Sequence, residues 1–328
     1  MDHFGYSFSD MVEKRHVLVV GSFDGVHRGH RRLFAEARRI AAEVDGEVVA
    51  LSFRTHPLSR LRPEGVPPIL QRLDQRVAAL LDAGADEVEW LDPTEALLSQ
   101  SAEAFIESVW ERYHPVAFVE GANFRFGKAR GGDVRLLAEL GRKFGFTVQI
   151  VDLLRVPLRD KTVAPLSSSL VRWLLTEGRV ADARLCLGRP FALLGEVIHG
   201  EQRGRTLGYP TANLDVSEQM LPADGVYAGR VMLEGHNWPA AISIGVKPTF
   251  TRQQRICEVH LLDYGGDLYG QSIEVALHRW IRDQQRFPGI EVLKEQLHRD
   301  VALIRSLDRA DLLNPIGRVR DPEAEVAA

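Results

Sequence analysis

The sequence VLVVGSFDGVHRGH occupies residues 17–30 and decides the fold of the first half of the chain. Its first four residues are all apolar, which is typical of a strand buried on both faces of a parallel sheet. A helical pattern follows, in which Leu33, Ala37 and Ile40 recur at spacings of four and three. We therefore predict a buried strand, a glycine-rich turn and a helix, the unit from which α/β sheets are built.

Short apolar runs and helical segments keep alternating up to residue 151. Further strands are predicted at residues 48–53, 87–91, 116–119 and 147–151. Helices are predicted at residues 72–82, around Phe105 and Val109, and from an Asp133 cap through Lys143. This alternation predicts an α/β fold, a Rossmann-like parallel sheet with helices on both faces.

The character of the chain changes near Gly188. Strand-like runs at residues 226–233, 240–245, 256–264 and 273–280 follow one another without intervening helices. This pattern predicts a small antiparallel β-barrel or sandwich, closed by one helix with an apolar stripe from Ile290 to Ile304. The predicted domains are residues 1–187 and 188–313, followed by a flexible tail at 314–328.

Composition excludes several classes of protein. The 328 residues carry a formal net charge of -4, so no basic field predicts nucleic-acid binding. No uninterrupted apolar stretch reaches the roughly 18 residues of a membrane helix. Cys186 and Cys257 have no metal-ligand spacing and are predicted to be buried thiols in a reducing compartment. We expect a cytoplasmic protein without nucleic-acid or membrane partners, for which self-association stays open.

The turn after the first strand is the first candidate site. Gly21, Gly25 and Gly29 let the backbone approach a phosphate chain, and the helix N-terminus offers free N–H groups. His27 and His30 are three residues apart and would face the same phosphates, as transition-state donors. Alternatively, the two histidines are surface or packing residues. No nearby acidic or cysteine residue completes a metal site.

Two other segments in the first half could contact the same nucleotide. Serines at 167–169 precede an apolar helix, and capping accounts for one of them. Arg172 is predicted on the first turn, where a cation opposes the helix dipole unless an anion such as pyrophosphate binds there. Asn123 follows the fourth strand and could hydrogen-bond a base or sugar. Alternatively, its loop is an ordinary connection between secondary-structure elements.

A glycine-rich segment in the second half is the second candidate site. A Walker-type P-loop is missing from the sequence, which excludes a kinase of that type. Residues 200–213 contain three closely spaced glycines and end in Thr211 and Asn213, whose hard oxygens suit Mg²⁺ beside phosphates. The alternative is a turn in which these two residues cap backbone groups.

Glu258 interrupts an apolar strand-like run. Such a residue often faces outward from the barrel. If it faces inward, an ionised carboxylate is costly unless it has a function, and a general base is the obvious one.

Motifs in the first half resemble a known family. These are G-x-F-D-G-x-H-x-G-H at residues 21–30, SFRTHP at 52–57, the Asn123 loop and Ser-Ser-x-x-x-Arg at 167–172. Together they resemble the nucleotidyltransferase half of the bifunctional bacterial riboflavin kinase/FAD synthetase family. The resemblance implies that His27 and His30 are catalytic and that His56 and Pro57 contact flavin. It implies ATP or phosphate contacts from Gly21, Phe23, Asp24, Gly25, Gly29, Asn123, Ser168, Ser169 and Arg172.

The second half is similar to the riboflavin kinase module of that family. The similarity lies in the glycine-rich segment at 200–213, GVYA at 225–228, IGVKPTF at 244–250, EVH at 258–260 and DLYG at 267–270. It implies that Glu258 accepts the proton of the riboflavin 5′-hydroxyl, that Thr211 and Asn213 hold Mg²⁺ with ATP, and that Arg282 contacts flavin. The implied ATP contacts are Gly200, Gly204, Arg205 and Gly208.

Three positions depart from the family's pattern. Ser169 stands where a threonine is usual and keeps the hydroxyl group. Gln284 stands where a carboxylate is common, so the carboxylate has become an amide or has moved one place, which affects a flavin-side contact. The usual aromatic-acidic stretch is missing around residues 91–94.

The predicted function is a bifunctional transferase. It phosphorylates riboflavin to FMN and adenylylates FMN to FAD with release of pyrophosphate, using ATP and Mg²⁺ in both steps. Two alternatives stay open at this point. Only one half could be active, for example the kinase beside a decayed transferase, or the protein could bind flavin or nucleotide without turnover.

Overall fold

A computed structural model describes residues 14–200, 204, 207–216, 218–248 and 253–307 of the chain. Contacts divide these residues into two compact units. The first comprises the described residues up to Pro67 together with Gln75–Leu153, and the second comprises Pro68–Asp74 and the described residues from Leu154 onward. None of the helices in the described part of the chain combines the length and apolar character that spanning a bilayer requires.

The chain up to residue 153 folds as alternating strands and helices. In chain order the elements are β1 His16–Gly21, α1 Arg28–Val44, β2 Glu47–Phe53, α2 Leu58–Leu61, a 3₁₀ turn Pro63–Gly65, α3 Leu73–Ala83, β3 Glu87–Leu91, α4 Glu95–Leu98, α5 Ala102–Tyr113, β4 Ala117–Gly121, β5 Arg125–Phe126, a 3₁₀ turn Lys128–Arg130, β6 Gly132–Asp133, α6 Val134–Phe144 and β7 Thr147–Val151.

Five of these strands form a parallel sheet in the order β3-β2-β1-β4-β7, which confirms the predicted α/β fold. The apolar run of β1 is buried on both faces as predicted. Val17 and Val19 belong to one core cluster with Phe34 of α1, while Leu18 belongs to another with Phe105 of α5. The strand order reverses between β1 and β4, which is where open α/β sheets bind ligands.

The second unit contains a barrel. Its elements are β8 Arg155–Pro157, β9 Val163–Pro165, α7 Ser168–Thr176, α8 Val180–Leu187, β10 Phe191–Ile198, β11 Ala212–Asp215, β12 Gly225–Leu233, β13 His236–Pro248, β14 Gln253–Leu261, β15 Ser272–Arg282 and α9 Ile290–Leu307. The last six strands close in the order β10-β11-β14-β13-β12-β15, with antiparallel pairs throughout. The fold is therefore a barrel rather than a sandwich.

The closing helix is present, although its apolar stripe is only partly covered. Ile304 is buried in α9, whereas Ile290 in the first turn is exposed. Both cysteines are buried free thiols, as predicted.

The predicted boundary between residues 187 and 188 stays a prediction, since contacts group residues 154–187 with the barrel and do not show which residues serve which function. The predicted tail at 314–328 lies outside the described residues.

Candidate functional sites

The turn between β1 and α1 has an unusual backbone. Phe23, Gly25 and Val26 all have positive φ angles, of 45°, 88° and 34°. Glycine adopts this region freely, whereas for a β-branched residue such as Val26 it is strained. Phe23 and Val26 are both buried in the core, so packing holds the turn in this conformation. Strained backbone that packing over-determines is a feature of ligand sites.

The structure brings His27 and His30 together. His27 is the N-cap of α1, and its Nδ1 accepts a hydrogen bond from the backbone N–H of His30 at 3.2 Å. The two rings stack with centroids 3.6 Å apart. Because Nδ1 of His27 accepts, a neutral ring carries its proton on Nε2 and is a donor there. Two imidazoles thus lie side by side at the start of a helix whose N-terminus attracts anions.

Asp24 has a partner that the sequence analysis missed. A guanidinium nitrogen of Arg76, on α3, lies 3.8 Å from the Asp24 carboxylate, and both side chains are buried. The other terminal nitrogen of Arg76 donates to the carbonyl of Phe53 at 2.9 Å. Arg76 therefore ties the turn after β1 to the end of β2. Contact between Asp24 and phosphate stays a prediction.

Glu120 is a second residue that the sequence analysis missed. Burial raises the pKa of this carboxyl well above its usual range, while a hydrogen bond from the N–H of Val20 at 2.7 Å acts in the opposite direction. The register of β1 with β4 comprises Val17↔Ala117 and Leu18↔Phe118, whereas that of β1 with β2 continues to Gly21, the last residue of β1. Beyond the last β1–β4 pair, the Glu120 side chain takes the place of a backbone partner for the Val20 N–H. The only sequence signal was an acidic residue at the end of an apolar run.

The loops after β2 and β4 lie at the same edge of the sheet, because the carboxyl ends of parallel strands share an edge. His56 accepts a hydrogen bond from the backbone N–H of Leu58 at 3.1 Å, and Pro57 is the N-cap of α2. Asn123 is exposed in the turn after β4. The predicted contact residues at 21–30, 56–57 and 123 are therefore brought to one edge.

The serine segment belongs to the second unit. Ser167 caps α7 by accepting from the N–H of Leu170 at 3.1 Å, so Ser168 and Ser169 are the first helical residues. The predicted first-turn position of Arg172 is wrong, because α7 begins at Ser168 and Arg172 is its fifth residue. The Nε of Arg172 donates to the Pro68 carbonyl at 2.8 Å. Phosphate binding by this segment stays a prediction.

Glu258 lies on the outer face of the barrel. Its neighbours Cys257 and Val259 are buried in the core, while Glu258 itself is partly exposed. The inward-facing alternative is therefore wrong. In the register, Glu258 is opposite Asn213 of β11 and Ser243 of β13. Residues directly opposite in antiparallel strands lie on one face with Cβ atoms roughly 4.5–5.5 Å apart.

Gly200, at the start of the glycine-rich segment, packs against this row. A Cβ at Gly200 would overlap the side-chain amide of Asn213, and one at Gly204 would overlap the carbonyl of Tyr209. Gly208 has a φ of 88°. These positions therefore need glycine for close approach or for conformation. Arg205 lies outside the described residues.

A cavity of about 440 Å³ opens beside the glycine-rich segment, a volume within the range of small-molecule sites. Its lining includes Thr211 and the segment 264–269, which contains most of the DLYG motif. Thr211 directly precedes β11, two residues before Asn213. The cavity lining and the row that contains Glu258 therefore meet in this short stretch of the chain.

Arg282 holds the closing helix. Its guanidinium makes hydrogen bonds of 2.8–3.1 Å to both carboxylate oxygens of Asp300 on α9, and the Asp300 side chain is buried. Gln296 also donates to Asp300, at 2.8 Å. The structure thus assigns Arg282 a packing function, and its contact with flavin stays a prediction.

Comparison with known proteins matches both halves of the chain. A family model described as FAD synthetase matches residues 9–163, and one described as riboflavin kinase matches residues 187–307. A bifunctional riboflavin kinase/FMN adenylyltransferase of Escherichia coli strain K12 is 35% identical over 297 residues, covering 90% of this chain and 93% of that protein. Its counterpart in Pseudomonas fluorescens is 36% identical over 294 residues, covering 89% and 92%.

A solved structure matches the same extent of the chain. The crystal structure of a Streptococcus pneumoniae protein named a macrolide-efflux protein is similar with a TM-score of 0.81 at 30% identity. The similarity covers 89% of this chain and 94% of that one.

Proposed function

Because the chain belongs to the bifunctional riboflavin kinase/FMN adenylyltransferase family, we propose that each of its two reactions takes place at one of the two sites described above. The protein phosphorylates riboflavin to FMN with ATP, and then adenylylates FMN to FAD with release of pyrophosphate. One observation carries the assignment. The stacked His27–His30 pair falls in the segment that matches FAD synthetase, and the Asn213–Glu258 pair falls in the segment that matches riboflavin kinase.

Adenylyl transfer is assigned to the edge of the parallel sheet. A phosphate oxygen of FMN attacks the α-phosphorus of ATP, and the bond from that phosphorus to the bridging oxygen of pyrophosphate breaks. His27 and His30, at the positive end of the α1 dipole, stabilise the charge that develops on the phosphoryl oxygens. The Gly21–Gly29 turn contacts the phosphates and Asn123 the nucleoside. His56 and Pro57 contact the flavin.

The segment at the start of α7 is a further candidate for phosphate contacts in this proposal. Ser168 and Ser169 present hydroxyl groups and backbone N–H groups at the helix N-terminus, which suits pyrophosphate. Because Arg172 lies in the second turn, the argument that its charge opposes the helix dipole is weaker. Its terminal guanidinium nitrogens still suit a phosphate.

Phosphoryl transfer to riboflavin is assigned to the barrel. Glu258 accepts the proton of the 5′-hydroxyl, whose oxygen attacks the γ-phosphorus of ATP while the bond to ADP breaks. The outward position of Glu258 leaves its carboxylate accessible to a substrate hydroxyl. The neighbouring cavity suits the nucleoside part of ATP, with the glycine-rich segment over the phosphates.

Thr211 and Asn213 fit a magnesium ion that arrives with ATP. Both side chains offer neutral oxygen atoms, and Mg²⁺ usually completes its octahedron with water and substrate phosphates. Among the described residues, no cluster of three or more His, Cys, Asp or Glu side chains could hold a metal ion. When bound, the ion would neutralise charge on the transferring phosphates. The two buried free cysteines agree with a cytoplasmic location, which we also propose.

The product assay tests both activities on one preparation. The protein is incubated with ATP, Mg²⁺ and riboflavin, and FMN and FAD are separated by chromatography. We expect FMN followed by FAD; FMN alone would favour the single-activity alternative, and no product would favour a binding protein. Glu258→Gln should abolish FMN formation from riboflavin and leave FAD formation from added FMN intact. An equal loss of both activities in this variant would contradict the two-site assignment.

A further inference from the structure

Glu258 lies in the middle of a row of polar side chains that crosses the outer face of the barrel. Asn213 on β11 is its register partner on one side, and Ser243 on β13 is its partner on the other. Ile242 and Ile244, on either side of Ser243, are buried in the core, so Ser243 faces outward as Glu258 does. The Ser243 hydroxyl is therefore a cross-strand neighbour of the Glu258 carboxylate.

Gln284, just after β15, reaches the end of this row. Its Nε2 donates to Ser243 Oγ at 2.9 Å and to the carbonyl of Ile244 at 3.0 Å. These bonds use both hydrogens of the side-chain amide. Because a carbonyl can only accept, the amide nitrogen and not its oxygen must face Ile244. A carboxylate at position 284 would have no hydrogen for this bond.

Gly245 makes room for the Gln284 side chain. A Cβ at Gly245 would lie 3.2 Å from Nε2 and 3.4 Å from Cδ of Gln284. The amide therefore lies closely across β13, over a position without a side chain. Two hydrogen bonds and this contact hold it in one place.

We propose that Gln284 and Ser243 are positioning residues for the kinase reaction, which orient the carboxylate of Glu258. Ser243 Oγ accepts from Gln284, so the hydroxyl hydrogen is directed to another acceptor, and the carboxylate across the strand pair is the strongest acceptor nearby. In this proposal, donation of that hydrogen to the carboxylate fixes Glu258 relative to Asn213 and the substrate hydroxyl. This inference rests on the proposed function of Glu258, and it gives the amide at position 284 a contact that a carboxylate could not make.

Steady-state kinetics of the riboflavin kinase reaction test the inference on the full-length protein. Gln284→Met keeps the length of the side chain and removes both hydrogen bonds, and Ser243→Ala removes the hydroxyl. We expect each to lower kcat roughly tenfold while KM for riboflavin and for ATP changes less than about twofold. Ser243→Thr, which retains a hydroxyl, should restore most of the rate. The double variant should be no slower than either single one, since the two residues act as a unit.

Gln285→Met is the matched control, because this exposed glutamine is the next residue in the chain; its kinase rate should be unchanged. FAD formation from FMN, measured on the same preparations, should be unchanged in every variant. An unchanged kcat, a change confined to KM, or additive losses in the double variant would overturn the inference. Full kinase activity in Glu258→Gln would instead overturn the proposed base, so the two failures are distinguishable.

Discussion

At the start of α1 the predicted catalytic residues are close together in sequence and His27 is buried, whereas on the barrel the predicted site residues Glu258 and Asn213 come from separate strands and Glu258 lies on the outward face. The first site is made of one turn, whose strained backbone is held by packing. The second site is a row whose members meet only through strand register. A contiguous turn depends on local packing, and a cross-strand row depends on the pairing of the whole barrel. The two sites should therefore respond to different substitutions.

The largest expected effect is a loss of adenylyl transfer that leaves the kinase activity unchanged. His27→Asn removes the imidazole donor but keeps a good N-cap, since asparagine is among the preferred capping residues. FAD formation from FMN should fall about 10²-fold, the loss typical of one transition-state donor. FMN formation from riboflavin should not change, because Glu258 and Asn213 are untouched. Chromatography of both products on one preparation measures both rates, and a parallel loss of kinase activity would show that the sites are not independent.

A second substitution tests how far the stability of the first site depends on the buried Asp24–Arg76 ion pair. Arg76→Met leaves the buried Asp24 carboxylate without this cation and should destabilise the first unit by about 3 kcal/mol. Hydrogen exchange measured on peptides from β1 and β2 reports the change. The kinase rate of the barrel should persist.

The matched control is Arg54→Met, which removes an exposed ion pair with Asp92 near the same strand ends. The Arg54 and Asp92 side chains are 47% and 61% exposed, so the change should stay below about 1 kcal/mol. Equal effects of the two substitutions would show that burial of the Asp24–Arg76 pair does not matter.

The smallest expected effect is a pH dependence centred on Glu120. Burial raises the pKa of Glu120 in the folded state. Its contribution to stability is therefore present at low pH and is lost as the pH rises towards the folded-state pKa. Glu120→Gln keeps an acceptor for the Val20 N–H and cannot ionise. It should stabilise the first unit at about pH 8, and the gain should shrink towards about pH 5, near the ordinary range of a glutamate.

Hydrogen exchange of β1 and β4 at the two pH values measures this difference. A gain in Glu120→Gln that does not vary with pH would contradict a neutral buried carboxyl. The barrel peptides of the same samples serve as the internal reference.

Much of the first site could be predicted because its signal is local. The apolar run of β1, the glycines and the two histidines lie within 14 consecutive residues, residues 17–30. Arg76 and Glu120 escaped prediction for the opposite reason. Arg76 looked like an ordinary helical residue, and its function depends on the distance of α3 from the turn after β1. Glu120 matters only because the β1–β4 ladder ends before it.

The sequence by itself determined the α/β fold of the first half, the antiparallel β character of the second half, and the types of residue at each site. Periodicity and turn residues are local properties, so the βα alternation, most of the barrel strands and the histidine turn could all be derived from it. Only the tertiary structure decided that Glu258 faces outward, that Asn213 and Ser243 flank it, and that Gln284 reaches the same row. These residues are far apart in the chain, and a shift of one residue in strand pairing would place them on the opposite face. Register, which depends on packing of the whole barrel, therefore determines the kinase site, whereas the histidine turn was already visible in 14 consecutive residues.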